Sequence, residues 1–166
     1  MTNLAEHLET DACPHLAVFL RSADELPGVL ASFYLLGVRR GGWLAHRALP
    51  GEADRDRAML TGAGLDVDGL EADGRMVVVE MDFDAPAEGS AEPWREALDA
   101  ALERGCTGLW YGRAPVPAEH VDGMLAVERE WHRFSRDRPV VTICPFIAGD
   151  ADERVVAAMH TSLVRF

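Results

Sequence analysis

Three uninterrupted apolar runs constrain the fold of this chain more than any other feature of its sequence. They occupy residues 16–20, 76–79 and 140–143, and the last two consist almost entirely of β-branched residues. Such runs are typical of strands that are buried on both faces, as in parallel sheets. Because helical patterns separate them, the sequence predicts a three-layer α/β domain, with a mainly parallel five-stranded sheet and helices on both faces.

The predicted elements alternate regularly along the chain. Strands are predicted at residues 16–20, 43–46, 75–81, 107–111 and 139–144, with a closing edge strand at 162–166. Helices are predicted at residues 22–40, 52–63, 67–74, 93–104, 118–134 and 150–159. No linker interrupts the pattern, so we expect a polar leader at residues 1–12 and one domain at residues 13–166.

The turn after the first strand differs from a phosphate-binding loop. It reads Arg21-Ser22-Ala23-Asp24-Glu25, where Ser22 and Glu25 match an S-x-x-E capping box. The capping side chains would satisfy the free N–H groups that bind phosphate in a glycine loop, and the two acids oppose an anion. We therefore expect that the chain neither hydrolyses nor tightly binds ATP or GTP.

Composition excludes several classes of function. All sixteen basic residues are arginine, so a phosphate-loop lysine, a Schiff-base lysine and a lysine general base are impossible. A net charge of -12 disfavours direct binding to nucleic acid or to anionic membranes. No apolar run approaches the roughly 18 residues of a membrane helix, and three widely spaced cysteines indicate no disulfide framework. We expect a cytoplasmic protein with reduced thiols.

Side chains at the carboxyl ends of the predicted strands form the candidate ligand site. In open parallel sheets, ligands bind beyond these ends. The charged and thiol groups would hold a polar part of a small organic molecule, while two aromatic rings would form apolar walls. The candidate residues are Arg21, His46, Asp82, Trp110, Arg113, Cys144 and Phe146. Alternatively, the charged residues pair with one another and Cys144 fills the core.

No metal site and no cofactor are predicted. The histidines and cysteines lack zinc-binding spacings, and His15 opens a buried strand, as a structural histidine would. Glu128 and His132, four residues apart on a helix, form either a surface pair or half of a metal site without a third ligand. Cys13-Pro14 and Cys144-Pro145 are Cys-Pro pairs of the kind seen in haem-responsive proteins. Opposite ends of a parallel strand lie about 16 Å apart, so these two cysteines should share neither a ligand nor a disulfide.

The order of these motifs resembles the MEDS domain, the sensory domain named for methanogen and methylotroph regulators and the dichloromethane repressor. The resemblance lies in R-S-x-D-E-L after the first strand, in GLDVDGLEADGRMVVVEMD and WREALDAALERGCTGLWYG, and in a long helix with Glu128 followed by PVVTICPF. It implies a RecA/KaiC-like fold that has lost its phosphate loop, and by analogy the strand order 2-3-4-1-5. The chain departs from the family pattern at Ala17, at Leu20 and at residues 112–115.

The resemblance also implies the function. We expect a non-enzymatic bacterial sensory domain that binds a small organic molecule and signals to a protein partner, with a homodimer left open. Alternatively, the chain is an enzyme, either of RecA ancestry or dependent on the Cys144 thiol and a histidine. A protein-interaction module with a vestigial pocket and a haem or metal sensor also stay open.

Overall fold

A computed structural model describes Leu8, residues 15–149, Asp152, Val156, His160 and the strand at 162–165, in which only residue 164 has a described side chain. The strands are β1 His15–Leu20, β2 Trp43–Ala48, β3 Met76–Glu80, β4 Leu109–Arg113, β5 Val140–Ile147 and β6 Ser162–Arg165. The helices are α1 Leu26–Arg39, α2 Ala53–Gly62, α3 Val67–Ala72, α4 Glu92–Glu103 and α5 Val121–Ser135. Short 3-10 turns at Ala23–Glu25 and Ala118–His120 precede α1 and α5.

All described strands belong to one sheet, in the order β3-β2-β4-β5-β1-β6. Every pairing is parallel, which confirms the predicted α/β class and the closing strand at the carboxyl end. The predicted order 2-3-4-1-5 is wrong, because β2 lies between β3 and β4, and β5 lies between β4 and β1. An alternation of strands and helices does not specify which strands are neighbours, so the order came from analogy alone.

Consecutive residues of each strand point to opposite faces of the sheet. In β2, Leu44 and Ala48 belong to the core under α1, α2 and α3, whereas Trp43 and Ala45 belong to the core under α4 and α5. We call these the first face and the second face. One large hydrophobic cluster fills the first face, whereas the second face is divided into three smaller clusters. Helices thus cover both faces, as the apolar runs predicted.

The turn after β1 is closed by an ion pair rather than by the predicted capping box. Ser22 makes no capping hydrogen bond with its side chain. Glu25 instead accepts from the Arg21 backbone N–H at 2.8 Å and from the Arg21 guanidinium at 2.6 Å. Because both oxygens of this carboxylate accept from Arg21, the prediction of a capping box is wrong. The α-helix begins at Leu26.

Some predictions fall outside the described residues. These are the helix at residues 150–159 and the polar leader at residues 1–12, of which only single positions are described. Within the leader, Leu8 is buried in the first-face core, and its carbonyl accepts from Arg40 Nη1 at 3.2 Å. None of the helices in the described part of the chain is long and apolar enough to span a membrane.

Candidate functional site

Glu128 lies on the inward face of α5, in the middle of an otherwise mostly apolar stripe. The buried residues of this helix recur at helical spacing, and they include Val121, Met124, Trp131 and Phe134. Glu128 continues the same stripe and is only 3 % exposed. A carboxylate in such a position needs compensating charges or hydrogen bonds, since its burial is otherwise strongly unfavourable.

Three basic side chains surround the Glu128 carboxylate. Arg113 of β4, which is 1 % exposed, donates from Nε to Oε1 at 3.1 Å. His15 Nε2 lies 2.7 Å from Oε2, and His160 Nε2 lies 3.5 Å from the same oxygen. The Arg113 guanidinium also donates to the carbonyls of Ala114 and Pro145, so its position is fixed from several sides.

The Cys144 thiol completes this group. Its Sγ lies 3.3 Å from His15 Nε2 and 3.3 Å from Glu128 Oε1. Because β5 continues to Ile147, Cys144 lies in the middle of the strand opposite Ala17, so its predicted position at the strand end is wrong. We call His15, Glu128, Cys144 and His160 the buried donor cluster. Their donor atoms all lie within 4.8 Å of one another.

Burial and charge set the protonation of this cluster. Burial by itself would raise the pKa of Glu128, but the Arg113 charge and the His15 hydrogen bond outweigh it and hold this pKa well below its usual range. Burial, reinforced by the Glu128 charge, raises the pKa of the Cys144 thiol well above its usual value. Burial also lowers the pKa of His160 to about 4. At neutral pH the thiol is therefore protonated and the His160 imidazole is neutral.

A separate apolar cavity of about 490 Å³ lies beside the edge strand β3 on the second face. Its walls come from β2, β3, α4, α5 and the segment 82–90. The apolar lining residues are Trp43, Val77, Val79, Ala85, Pro86, Pro93, Trp94, Ala97, Met124 and Val127. Arg47, Asp82 and Ser90 supply its polar groups. Arg47 Nε and Ser90 Oγ are buried without a hydrogen-bond partner among the residues that the structure describes.

The residues predicted to line one strand-end pocket are separated in the structure. Arg113, Cys144 and Phe146 lie together, with the guanidinium 4.7 Å from the Phe146 ring, while Asp82 lines the apolar cavity. Trp110 packs in the first-face core.

Two further members of the predicted set lie elsewhere. His46 points to the first face, where it contacts Asp56 at 2.7 Å and Tyr34 at 3.0 Å. Arg21 is exposed and pairs with Glu25. Of the predicted set, the structure brings together only Arg113, Cys144 and Phe146, because consecutive residues of a strand point to opposite faces of the sheet. Which of these side chains contacts a ligand stays a prediction.

Sequence reasoning named Glu128 only as a surface pair or half of a metal site with His132, and it did not consider Arg47. The helical and strand periods could have indicated that both are buried. Glu128 is buried and pairs away from His132, so the surface-pair alternative is wrong. Its place among Met124, Trp131 and Phe134 was a readable signal. By contrast, no spacing in the sequence indicated that His15, Cys144 and His160 would meet, since three elements far apart in the chain supply them.

Comparison with known protein families gives a match over most of the chain. The model of the MEDS family, described as the methanogen/methylotroph, DcmR sensory domain, matches residues 14–162. The chain belongs to the MEDS family. This match spans both the buried donor cluster and the cavity, and it confirms the resemblance seen in the sequence. No curated protein matches the chain.

Proposed function

We propose that this MEDS domain is a non-enzymatic sensor that binds a small organic molecule in the apolar cavity and signals to a protein partner. The proposal depends on one observation above all: Arg47 Nε and Ser90 Oγ are buried donors without hydrogen-bond partners among the described residues, and both residues line an otherwise apolar cavity. The ligand that fits has an apolar body and an oxygen acceptor, such as a carbonyl, hydroxyl or carboxylate group.

The size and lining of the cavity support this choice of ligand. Small-molecule sites typically measure about 300–1,000 Å³ and have apolar walls with a few polar groups, and the cavity of about 490 Å³ falls in that range. Trp43 and Trp94 offer large apolar surfaces. A buried donor without a partner costs about 1–3 kcal/mol, which a ligand oxygen near Arg47 would recover.

The segment 82–90 is the proposed route of the signal. It connects β3 with α4, and Asp82, Ala85, Pro86 and Ser90 of this segment line the cavity. A ligand would favour the conformation of this segment that contacts it, and a partner that contacts the same segment would detect the change. The net charge of -12 favours a protein partner, with a second copy of this chain as one candidate, over nucleic acid.

Two features support a non-enzymatic role. The Arg21 and Glu25 side chains close the turn that would hold phosphate in a nucleotide-binding relative, and the chain has no lysine. The Cys144 thiol is buried and its pKa is raised, so it is a poor nucleophile. A thiol-dependent reaction would require the opposite environment.

Fluorescence of 1-anilinonaphthalene-8-sulfonate, an apolar probe with an anionic acceptor group, tests the proposal. We expect saturable binding at one site and displacement by octanoate and octanol. Arg47→Met should weaken probe binding by about ten- to a hundredfold, since a hydrogen bond to a charged group contributes roughly 1.5–3 kcal/mol. Ala97→Leu should weaken it by filling the cavity.

The matched control is Arg55→Met, because Arg55 is an exposed arginine on α2, on the other side of the sheet. It should bind the probe like the unaltered protein. Circular dichroism in the near ultraviolet should show that each variant is folded. Equal binding by Arg47→Met, Ala97→Leu and Arg55→Met would overturn the assignment of the cavity as the ligand site.

A further inference from the structure

We propose that His15, Glu128, Cys144 and His160 bind a divalent transition metal ion, with Zn²⁺ as the best match to this donor set. Two imidazoles, a thiol and a carboxylate are the ligand types that zinc prefers. All four residues are buried or have fully buried side chains, and they come from β1, α5, β5 and the segment before β6. The inference is independent of the apolar cavity and its ligand.

The orientation of His160 carries the argument. Its Nδ1 lies 2.7 Å from the Val156 carbonyl, which can only accept, so Nδ1 carries the proton. In the neutral ring, Nε2 then presents a lone pair toward Glu128 Oε2 at 3.5 Å, which is itself an acceptor. Nε2 is buried without a hydrogen-bond partner in the described part of the chain. Two facing acceptors repel one another, and a metal cation between them would convert the repulsion into two bonds.

The His160 hydrogen bond is also the usual arrangement around a metal-binding histidine. Such a histidine donates its other ring N–H to a carbonyl or carboxylate, which fixes the ring and its tautomer. Arg113 has the corresponding effect on Glu128, because it holds Oε1 at 3.1 Å and leaves Oε2 toward the imidazoles. Both ligands are therefore oriented before a metal arrives.

The distances among the donors are close to those of a tetrahedral site. Zinc bonds of about 2.0–2.3 Å place tetrahedral ligand atoms roughly 3.3–3.8 Å apart. The separation from Cys144 Sγ to His15 Nε2 is 3.3 Å, and that from His160 Nε2 to Glu128 Oε2 is 3.5 Å. His15 Nε2 and Glu128 Oε2, at 2.7 Å, must move apart, and a bound cation would replace the hydrogen bond between them. The widest separations in the cluster, which reach up to 4.8 Å, must shorten.

The protons and charges balance without a further reactant. On binding, the Cys144 thiol releases its proton to solvent, and the resulting thiolate donates an electron pair to the metal. The neutral His15 ring changes tautomer: its one proton moves from Nε2 to Nδ1 by exchange with solvent, and the freed Nε2 lone pair binds the metal. The ion then faces one thiolate and one carboxylate, while Arg113 offsets part of their charge from the far side of Glu128. No oxidation or reduction occurs.

Titration of chelator-treated, full-length protein with Co²⁺ and with Zn²⁺ tests the site. Co²⁺ reports on its ligands, because tetrahedral coordination gives strong visible d–d bands and a thiolate gives a charge-transfer band in the near ultraviolet. We expect one equivalent to bind with both signals and Zn²⁺ to displace it. Cys144→Ser should remove the charge-transfer band. His160→Gln should weaken Zn²⁺ binding by more than the 10–100-fold typical of losing an outer-shell partner.

Matched variants separate this site from adventitious binding. Cys106→Ser and His120→Gln alter a cysteine and a histidine outside the cluster, and they should bind Co²⁺ and Zn²⁺ like the unaltered protein. If Cys144→Ser fails to fold, His160→Gln still tests the proposed site. Absence of saturable binding by folded protein would overturn the proposal. A charge-transfer band that survives in Cys144→Ser, or affinity that survives in His160→Gln, would also overturn it.

Discussion

The two faces of the sheet are built from the same strands but differ in how they use their buried positions. On the first face, a single hydrophobic cluster extends from Leu16 in β1 to Met76 in β3, and α1, α2 and α3 cover it. On the second face, three separate clusters leave room for a cavity of about 490 Å³ and for the fully buried Arg113 and Glu128. The first face thus buries its apolar residues in one continuous core, whereas the second face divides a similar number among three cores, with polar and open sites between them.

The first face is not free of polar groups, and a buried network on it sharpens the contrast. Tyr34, His46 and Asp56 form a chain of hydrogen bonds of 2.7–3.0 Å. Each member has a partner, as a structural network requires. On the second face, by contrast, Arg47 Nε and His160 Nε2 are buried without hydrogen-bond partners in the part of the chain that is described. Buried polar groups without hydrogen-bond partners distinguish a binding region from a packed one.

The largest expected effect is that of Glu128→Gln on the stability of the metal-free protein. Arg113 would keep its charge at 1 % exposure without a counter-ion, and breaking such a buried pair costs about 3–5 kcal/mol. Urea denaturation followed by circular dichroism measures this loss. Glu130→Gln on the same helix removes only a surface pair with Arg133, so it should cost less than about 1 kcal/mol. Similar losses of unfolding free energy in both variants would mean that the buried Arg113–Glu128 pair contributes no more than the surface pair.

Adjacent valines of β3 allow a direct comparison of the faces. Val78 is buried in the first-face core, whereas its neighbour Val79 lines the cavity. Val78→Ala should lower the free energy of unfolding by about 1.5–3 kcal/mol, and Val79→Ala by less than about 1 kcal/mol. Thermal and urea unfolding measure both. Equal losses would show that the second face is packed as tightly as the first.

Alanine substitution should lower the stability of the protein at one glycine and raise it at another. A Cβ on Gly112 in β4 would collide with the Tyr34 hydroxyl and lie 3.0 Å from Ile143 Cγ2, so Gly112→Ala should destabilise by about 1–3 kcal/mol. A Cβ on Gly123 in α5 meets nothing within 4 Å, and Gly123→Ala should stabilise by about 0.4–1 kcal/mol. Melting temperatures that move in the same direction would contradict this contrast.

The smallest expected effect concerns the ion pair between α2 and α3. Glu71 accepts from Arg57 at 2.9 Å and from the Val78 N–H, and these bonds, led by that from Arg57, lower the pKa of its carboxyl. Because the folded pKa is lowered, the pair stabilises the protein above the unfolded value of 4.5, and this contribution is lost as the pH falls below it. Glu71→Gln should cost about 1 kcal/mol at pH 7 and nothing extra at acid pH. A constant difference across pH would refute the ionic contribution.

The sequence predicted the layers of this fold better than its site. Runs such as residues 76–79 indicate strands buried on both faces, because this signal depends only on consecutive apolar residues within the run. The neighbours of each strand depend on how crossovers pack, and no local pattern contains that information. The position of His46 depends on the same kind of information, because His46 lies inside β2 opposite Gly112 and therefore points to the face opposite Arg113. Glu128 was recoverable from its helical stripe, whereas its meeting with His15 and Cys144 depends on the pairing of β1 with β5.

The position of β1 between β5 and β6 has a consequence for how the chain folds during synthesis. His15 of β1 pairs with Thr142 of β5, so β1 leaves the ribosome long before the strands that become its neighbours in the sheet. At 5–20 residues per second, this interval is roughly 6–25 s. During that time the run at residues 16–20 has no strand to pair with. Such long-range pairing slows folding and leaves an apolar segment open to aggregation, so β1 is where we expect nascent-chain chaperones to bind.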